Sequence, residues 1–252
     1  MARSLPDERE LDEEVAGRIA RELEASADVL AALWVGSRER GEGIGPSSDI
    51  DILAITRESA GEKWRRGYRD VPSGRFIELL YRPASLDRAR FALAVQSGDA
   101  WLHGYVHGRA LFDKDGTLAS LMSEARTLWE NGPAPLSASD REWERYELWM
   151  DRADIADRVA SSPHVAGYLI GVVGQRLFRY AYRLERWWWP PAKYVLVDLE
   201  SRDVGLADLF VRVFGSASPA VRLAALDATF DLLAGRFGID FGSEYRTVRG
   251  PL

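Results

Sequence analysis

Leu11, Val15, Ile19 and Leu23 recur at every fourth position between acids and arginines, a spacing that predicts an amphipathic helix over 8–26. The apolar run Val29–Val35 follows and stops at Gly36-Ser37, which reads as a buried strand ending in a tight turn. Gly41, Gly43, Gly45 and Pro46 make 39–48 a loop or short turn. The stretch 50–55 is apolar around Asp51 and predicts a second strand. The polar stretch 57–69 reads as a helix. Pro72-Ser73-Gly74 predicts a turn, and 75–81 a third strand that Pro83 closes. Ser85 is placed to cap a helix running to about Val95, with Asp87 in its first turn. A short strand at 110–112, a turn at Asp113-Lys114-Asp115-Gly116 and a helix over 118–129 complete this part.

Beyond Asn131-Gly132-Pro133-Ala134-Pro135 the pattern changes. Residues 139–159, 165–188, 194–200, 206–214 and 219–237 all carry helical patterning, and strand signals are absent. Residues 131–135 are rich in helix-stopping residues and make the best domain boundary. The expected architecture is therefore α+β: an N-terminal domain over 1–130 with a mixed sheet and helices, then an all-helical bundle over 136–252.

Composition narrows the function classes. The 252-residue chain is 46% hydrophobic and 29% charged, as in a soluble globular protein. No apolar run approaches the ~20 residues of a membrane span. The N-terminus is acidic and has no apolar signal core, so a cytoplasmic location is expected. With no cysteine, disulfides, thiol catalysis and thiolate metal sites are excluded. A net charge of −6 argues against non-specific nucleic-acid binding and is compatible with a cationic small substrate. Of 33 basic residues only Lys63, Lys114 and Lys193 are lysine, which draws attention to each of them.

The chemistry concentrates in the first three strands. Asp49 and Asp51, one residue apart on a strand, point to one face. Two carboxylates so placed repel unless a cation lies between them, and Mg²⁺ takes one or two carboxylates together with substrate phosphates. Glu78 lies among Phe76, Ile77, Leu79 and Leu80, where a carboxylate needs a partner. It can be a third metal ligand or a general base for an incoming hydroxyl. Gly36 lets backbone N–H groups approach phosphate oxygens, and Ser37 adds a hydroxyl donor.

Gly36-Ser37, followed by Gly45-Pro46-Ser47-Ser48-Asp49-Ile50-Asp51-Ile52 and a later strand glutamate, resembles the DNA polymerase β-type nucleotidyltransferase superfamily. Within it the chain looks most like the aminoglycoside nucleotidyltransferases of the kanamycin type, whose second, helical domain closes over the substrate. The resemblance implies Gly36, Ser37 and Ser48 on the nucleotide side, and Asp49, Asp51 and Glu78 on Mg²⁺. It also implies a general base, which is either Glu78 or an acid on the first helix of the second part. Glu142, Glu144, Glu147, Asp151 and Asp154 crowd that helix, and Glu147 fits best by position. Lys193, after Trp187-Trp188-Trp189-Pro190-Pro191, matches a basic residue that reaches the nucleotide phosphates in such families. The tryptophans themselves are expected to pack between the domains.

The implied activity is transfer of AMP from ATP to a hydroxyl of a small cationic molecule such as an aminoglycoside, with release of pyrophosphate and antibiotic resistance as a consequence. Mg²⁺ is the implied cofactor, no nucleic-acid or membrane partner is expected, and a monomer or homodimer is expected. The alternatives are a protein AMP-transferase of antitoxin type, a non-catalytic nucleotide-binding module and a polynucleotide synthase. Other motifs carry less. Gly41–Gly45 lacks dinucleotide-fingerprint spacing, 113–116 is a turn rather than a calcium loop, and His103 with His107 lacks a third ligand for zinc.

Overall fold

The computed structural model describes residues 8–41, 45, 48–60 and 64–243. It divides into two compact units: Met1–Ser97 with Trp101–Gly132, and Gly98–Ala100 with Pro133–Leu252. In the first unit the four-residue apolar spacing becomes α1 (Glu8–Glu24), which buries Val15, Ala16, Ile19 and Leu23. This stripe packs on one face of a five-stranded sheet, against Ala32, Trp34, Ile50, Ile52, Ala54, Ile77 and Leu79. The strands are β1 (Val29–Val35), β2 (Asp49–Thr56), β3 (Trp64–Arg69), β4 (Phe76–Pro83) and β5 (Arg109–Asp113), in the order β3-β4-β2-β1-β5. Only β2 and β4 are parallel; the remaining pairs are antiparallel. A four-residue helix, α2 (Ser37–Arg40), starts directly after Gly36. The opposite sheet face is covered by α3 (Ala84–Ser97), α4 (His103–His107) and α5 (Thr117–Asn131), with Leu118, Leu121 and Ala125 buried.

Two local expectations change. The stretch 57–69 is not a helix; it holds a 3-10 turn at Glu58–Ala60 and then β3. As an outer strand, β3 leaves Trp64, Arg65, Arg66, Gly67 and Arg69 exposed, so no apolar alternation marks it in the sequence. Ser85 lies inside α3 rather than before it. The Glu58 carboxylate serves that terminus, accepting from the Ser85 hydroxyl at 2.7 Å and from its N–H at 3.2 Å. His103 and His107 do form one helical turn, their rings 4.4 Å apart and both edge-on to Trp129. The turn at 113–116 caps α5: Asp113 accepts from the Gly116 N–H at 3.0 Å and the Ala119 N–H at 2.9 Å. Residues 42–44 and 46–47 of the glycine-rich stretch, and Lys63, lie outside the described residues.

A buried polar cluster under α3 has a measurable consequence. Asp87 is fully buried, and Arg82 Nε lies 2.5 Å from its Oδ1. Burial pushes the Asp87 carboxyl up to about 6, against the Arg82 guanidinium and Tyr105 hydroxyl, which pull it down. The folded chain therefore keeps this proton where the unfolded chain has lost it. The stability this group contributes is complete below its ordinary value of 3.8 and is lost as pH rises through about 6. The loss amounts to about 3 kcal/mol. Asp87→Asn cannot titrate, so its deficit against the unaltered protein should be largest at pH 4.5 and shrink toward pH 7.5 in urea titrations. A deficit constant across that range refutes the account.

The second unit is built from α6 (Ala138–Arg158), α7 (Pro163–Glu185), α8 (Val195–Arg202), α9 (Val204–Gly215) and α10 (Pro219–Phe237). Ser137, Asp203 and Ser218 cap three of these helices through side-chain oxygens. Ile170, Val173, Leu177, Phe178 and Ala181 of α7 form the centre of its core. Trp187 and Trp189 pack edge-on against Tyr182 within this unit, at 5.5 and 5.0 Å between ring centroids. Gly98–Ala100 pairs with Trp189, exchanging backbone bonds of 2.6 and 3.0 Å. No helix among the described residues is long and apolar enough to cross a membrane.

Candidate active site

Strand alternation produces the site. Ile50 and Ile52 of β2 and Ile77 and Leu79 of β4 face the α1 core, so Asp49, Asp51 and Glu78 face the other way. The parallel register sets Asp51 beside Glu78 and Asp49 beside Phe76. All three acids are half-buried, and one carboxylate oxygen from each lies within 4.8 Å of the others. Among the described residues they form the one group of three or more potential ligands this close together. An all-oxygen carboxylate set is the donor chemistry Mg²⁺ takes, so these residues fit that ion.

Gly36 ends β1 beside these acids. Its φ of +92° is one that L side chains rarely adopt, and a Cβ there would sit 2.4 Å from Asp51 Oδ2. Glycine is thus required twice, by the backbone turn and by the carboxylate beside it. Ser37 is buried as the first residue of α2, and its carbonyl accepts the Gly41 N–H that closes the turn. The Ser48 hydroxyl accepts the Gly45 N–H at 2.9 Å, and Ser48 N–H donates to the Gly45 carbonyl at 3.0 Å.

Charged residues that the sequence did not single out hold this frame. Arg38 is buried and donates through Nε to the Ser48 carbonyl at 2.7 Å, directly before Asp49. Its Nη1 donates to Asp12 Oδ2 at 2.8 Å, and Arg75 Nε makes an ion-pair contact of 2.7 Å with Asp12 Oδ1. Asp12 therefore ties α1, α2 and the start of β4 to one buried point. A third arginine, Arg65 of β3, pairs with Glu78 Oε1. Neither pairing is legible without knowing that α1 turns Asp12 inward and that 64–69 is a strand.

Glu147 and Lys193 belong to the second unit. On α6, Glu144, Glu147 and Asp151 share a face. Arg176 of α7 engages Asp151 at 2.6 Å and Glu144 at 3.3 Å, while Glu142 and Asp154 pair with Arg145 and Arg158. Glu147, half-buried, lies between the two acids that Arg176 binds. Lys193 is exposed in a 3-10 turn, its Nζ 5.1 Å from the Tyr194 ring centroid.

No protein-family model and no curated protein matches the sequence. Among solved structures, the chain is similar to a nucleotidyltransferase-like protein from Exiguobacterium sibiricum 255-15, with a TM-score of 0.50 and 14% identity. The match covers 88% of this chain and 75% of that one. The likeness is one of fold: a mixed five-stranded sheet with helices, followed by a helical C-terminal region.

Proposed function

We propose that the protein is a Mg²⁺-dependent nucleotidyltransferase that moves AMP from ATP onto a hydroxyl of a small cationic molecule, an aminoglycoside-like antibiotic being the model acceptor. The observation that carries this reading is the convergence of Asp49, Asp51 and Glu78 from adjacent strands, with Gly36 cleared for Asp51. These three carboxylates would hold Mg²⁺. When bound, the ion supplies charge neutralisation of the triphosphate and orientation of the attacked phosphorus. Gly36, Ser37 and Ser48 are the groups on the phosphate side, and Lys193 is assigned to the phosphates as a mobile point charge.

Glu78 already shares its carboxylate with a cation, which favours a ligand's role for it. The proton of the acceptor hydroxyl is then assigned to Glu147, since Arg176 engages its neighbours Glu144 and Asp151. Pairing of most acids on α6 with arginines lowers the attraction of that helix for a polycation. The acceptor class therefore rests on the net charge of −6 and the resemblance more than on α6. A donor of ATP is also why we place the activity in the cytoplasm.

Pyrophosphate release with Mg²⁺ and each of the four nucleoside triphosphates, across aminoglycosides, lincosamides and nucleosides, tests the reading. Turnover is expected with ATP and at least one hydroxyl acceptor. Labelling of protein by α-labelled ATP would move the acceptor to a protein hydroxyl. Absence of both pyrophosphate and label overturns the assignment.

A further inference from the structure

Arg65 occupies a distinctive place beside the three carboxylates. It stands on the outer strand, with its side chain 67% exposed, while the Glu78 side chain it binds is 15% exposed. Both Nε and Nη2 lie against the same oxygen, Oε1. The antiparallel register sets Arg65 opposite Leu80 and Gly67 opposite Glu78. The residue directly across from Glu78 thus has no side chain, and the guanidinium reaches the carboxylate over that gap. Arg66, the next residue, points to the other sheet face, its guanidinium 4.7 Å from the Tyr68 ring centroid. A fixed, largely enclosed acid is held by a cation whose stem is free to swing into water.

We infer that Arg65 is a built-in counter-ion of the metal site, holding Glu78 in the metal-free protein and competing with a divalent cation for it. The inference rests on the metal reading given above. Three carboxylate groups within 4.8 Å repel strongly when no cation is near, and an arginine at one of them relieves part of that repulsion. A guanidinium is a standing positive charge in proteins, so the relief holds until a stronger cation arrives. The functional result is discrimination: a free divalent ion has to displace Arg65, whereas one delivered on a nucleoside triphosphate brings anionic oxygens that can accept the released guanidinium. The site then loads metal with its nucleotide rather than before it.

Mn²⁺ binding to the nucleotide-free full chain, followed by calorimetry and by the spin-resonance signal of free Mn²⁺, tests the inference without any turnover. Arg65→Gln should tighten Mn²⁺ about fivefold, the factor equivalent to an exposed ion pair of about 1 kcal/mol. Arg65→Lys should fall between the two, and the gap should narrow in 0.5 M KCl. Arg66→Gln removes the same charge one residue away and should stay within about twofold of the unaltered protein. In a Glu78→Gln background, Arg65→Gln should have no further effect. Mn²⁺ affinity that depends on Asp51 but not on Arg65 overturns the counter-ion role alone. Equal tightening by Arg66→Gln overturns it too, because bulk charge would then be the cause. If neither the unaltered protein nor Arg65→Gln binds Mn²⁺, the metal reading falls with it.

Discussion

Asp51→Asn is expected to lower nucleotidyl transfer by about 10³-fold, the scale on which loss of one fixed transition-state electrostatic partner acts. The substitution keeps the side chain's size and removes its charge. It also removes one of three carboxylates whose oxygens lie within 4.8 Å. Relief of that repulsion should leave the metal-free fold as stable as before, or more stable by about 1 kcal/mol after allowance for solvent screening. Loss of activity with unchanged or raised thermal stability is the signature of a site residue. Equal loss of both would make Asp51 structural and sink the assignment. Gly36→Ala acts on the same carboxylate from the other side, because its Cβ would meet Asp51 Oδ2 at 2.4 Å. It should reduce activity and also destabilise the fold, by about 1–3 kcal/mol through backbone strain alone. In an Asp51→Ala background only that strain component should remain.

Asp12→Asn is expected to destabilise the protein by about 3–5 kcal/mol, the range for breaking a buried ion pair and leaving its partner uncompensated. Asp12 and Arg38 are both 2% exposed at the side chain, and Arg75 approaches the second Asp12 oxygen. Neutralising Asp12 leaves buried Arg38 and half-buried Arg75 to the exposed Glu8 carboxylate, 4.0 and 3.7 Å away, which solvent screens. The next acid on the same helix, Glu13, pairs with Arg9 and Arg109 while 43% exposed. Glu13→Gln should therefore change stability by no more than about 0.5 kcal/mol. Urea midpoints for the two variants decide the matter, and similar small effects would show that Asp12 does not organise the unit. Because Arg38 also holds the Ser48 carbonyl, the Asp12→Asn protein should lose Mn²⁺ affinity even under conditions where it remains folded.

The contrast between Asp12 and Asp51 shows what the chain discloses by itself. β1, β2 and β4 are readable because they are buried on at least one face, and burial writes apolar residues into the sequence at the strand period. The same alternation discloses Asp49, Asp51 and Glu78, which interrupt it. β3 is hidden for the opposite reason: an outer strand exposed along most of its length can be polar throughout, and WRRGYR is as compatible with a helix as with an edge. Arg65 is hidden along with it, since its bearing on Glu78 depends on strand pairing. Asp12 is concealed by company. It stands in an acidic run that looks solvated, and only the rotation of α1 distinguishes it from Glu10 and Glu13. The five helices of the second unit are legible from periodicity, with α10 found over the same residues, Pro219–Phe237, that the pattern delimits.

The parallel pairing of β2 with β4 also governs how this protein can change over generations. Ile50, Ile52, Ile77 and Leu79 point one way and the three acids the other, so one alternation serves the core and the chemistry together. A single-codon insertion or deletion within either strand would drive carboxylates under α1 and expose isoleucines, removing the fold along with the site. Length changes in the turns that link the strands carry no such penalty. Lineages of this chain can therefore drift in their connecting segments and keep the carboxylates aligned, whereas a shift inside β2 or β4 leaves no folded descendant in which the site could be rebuilt.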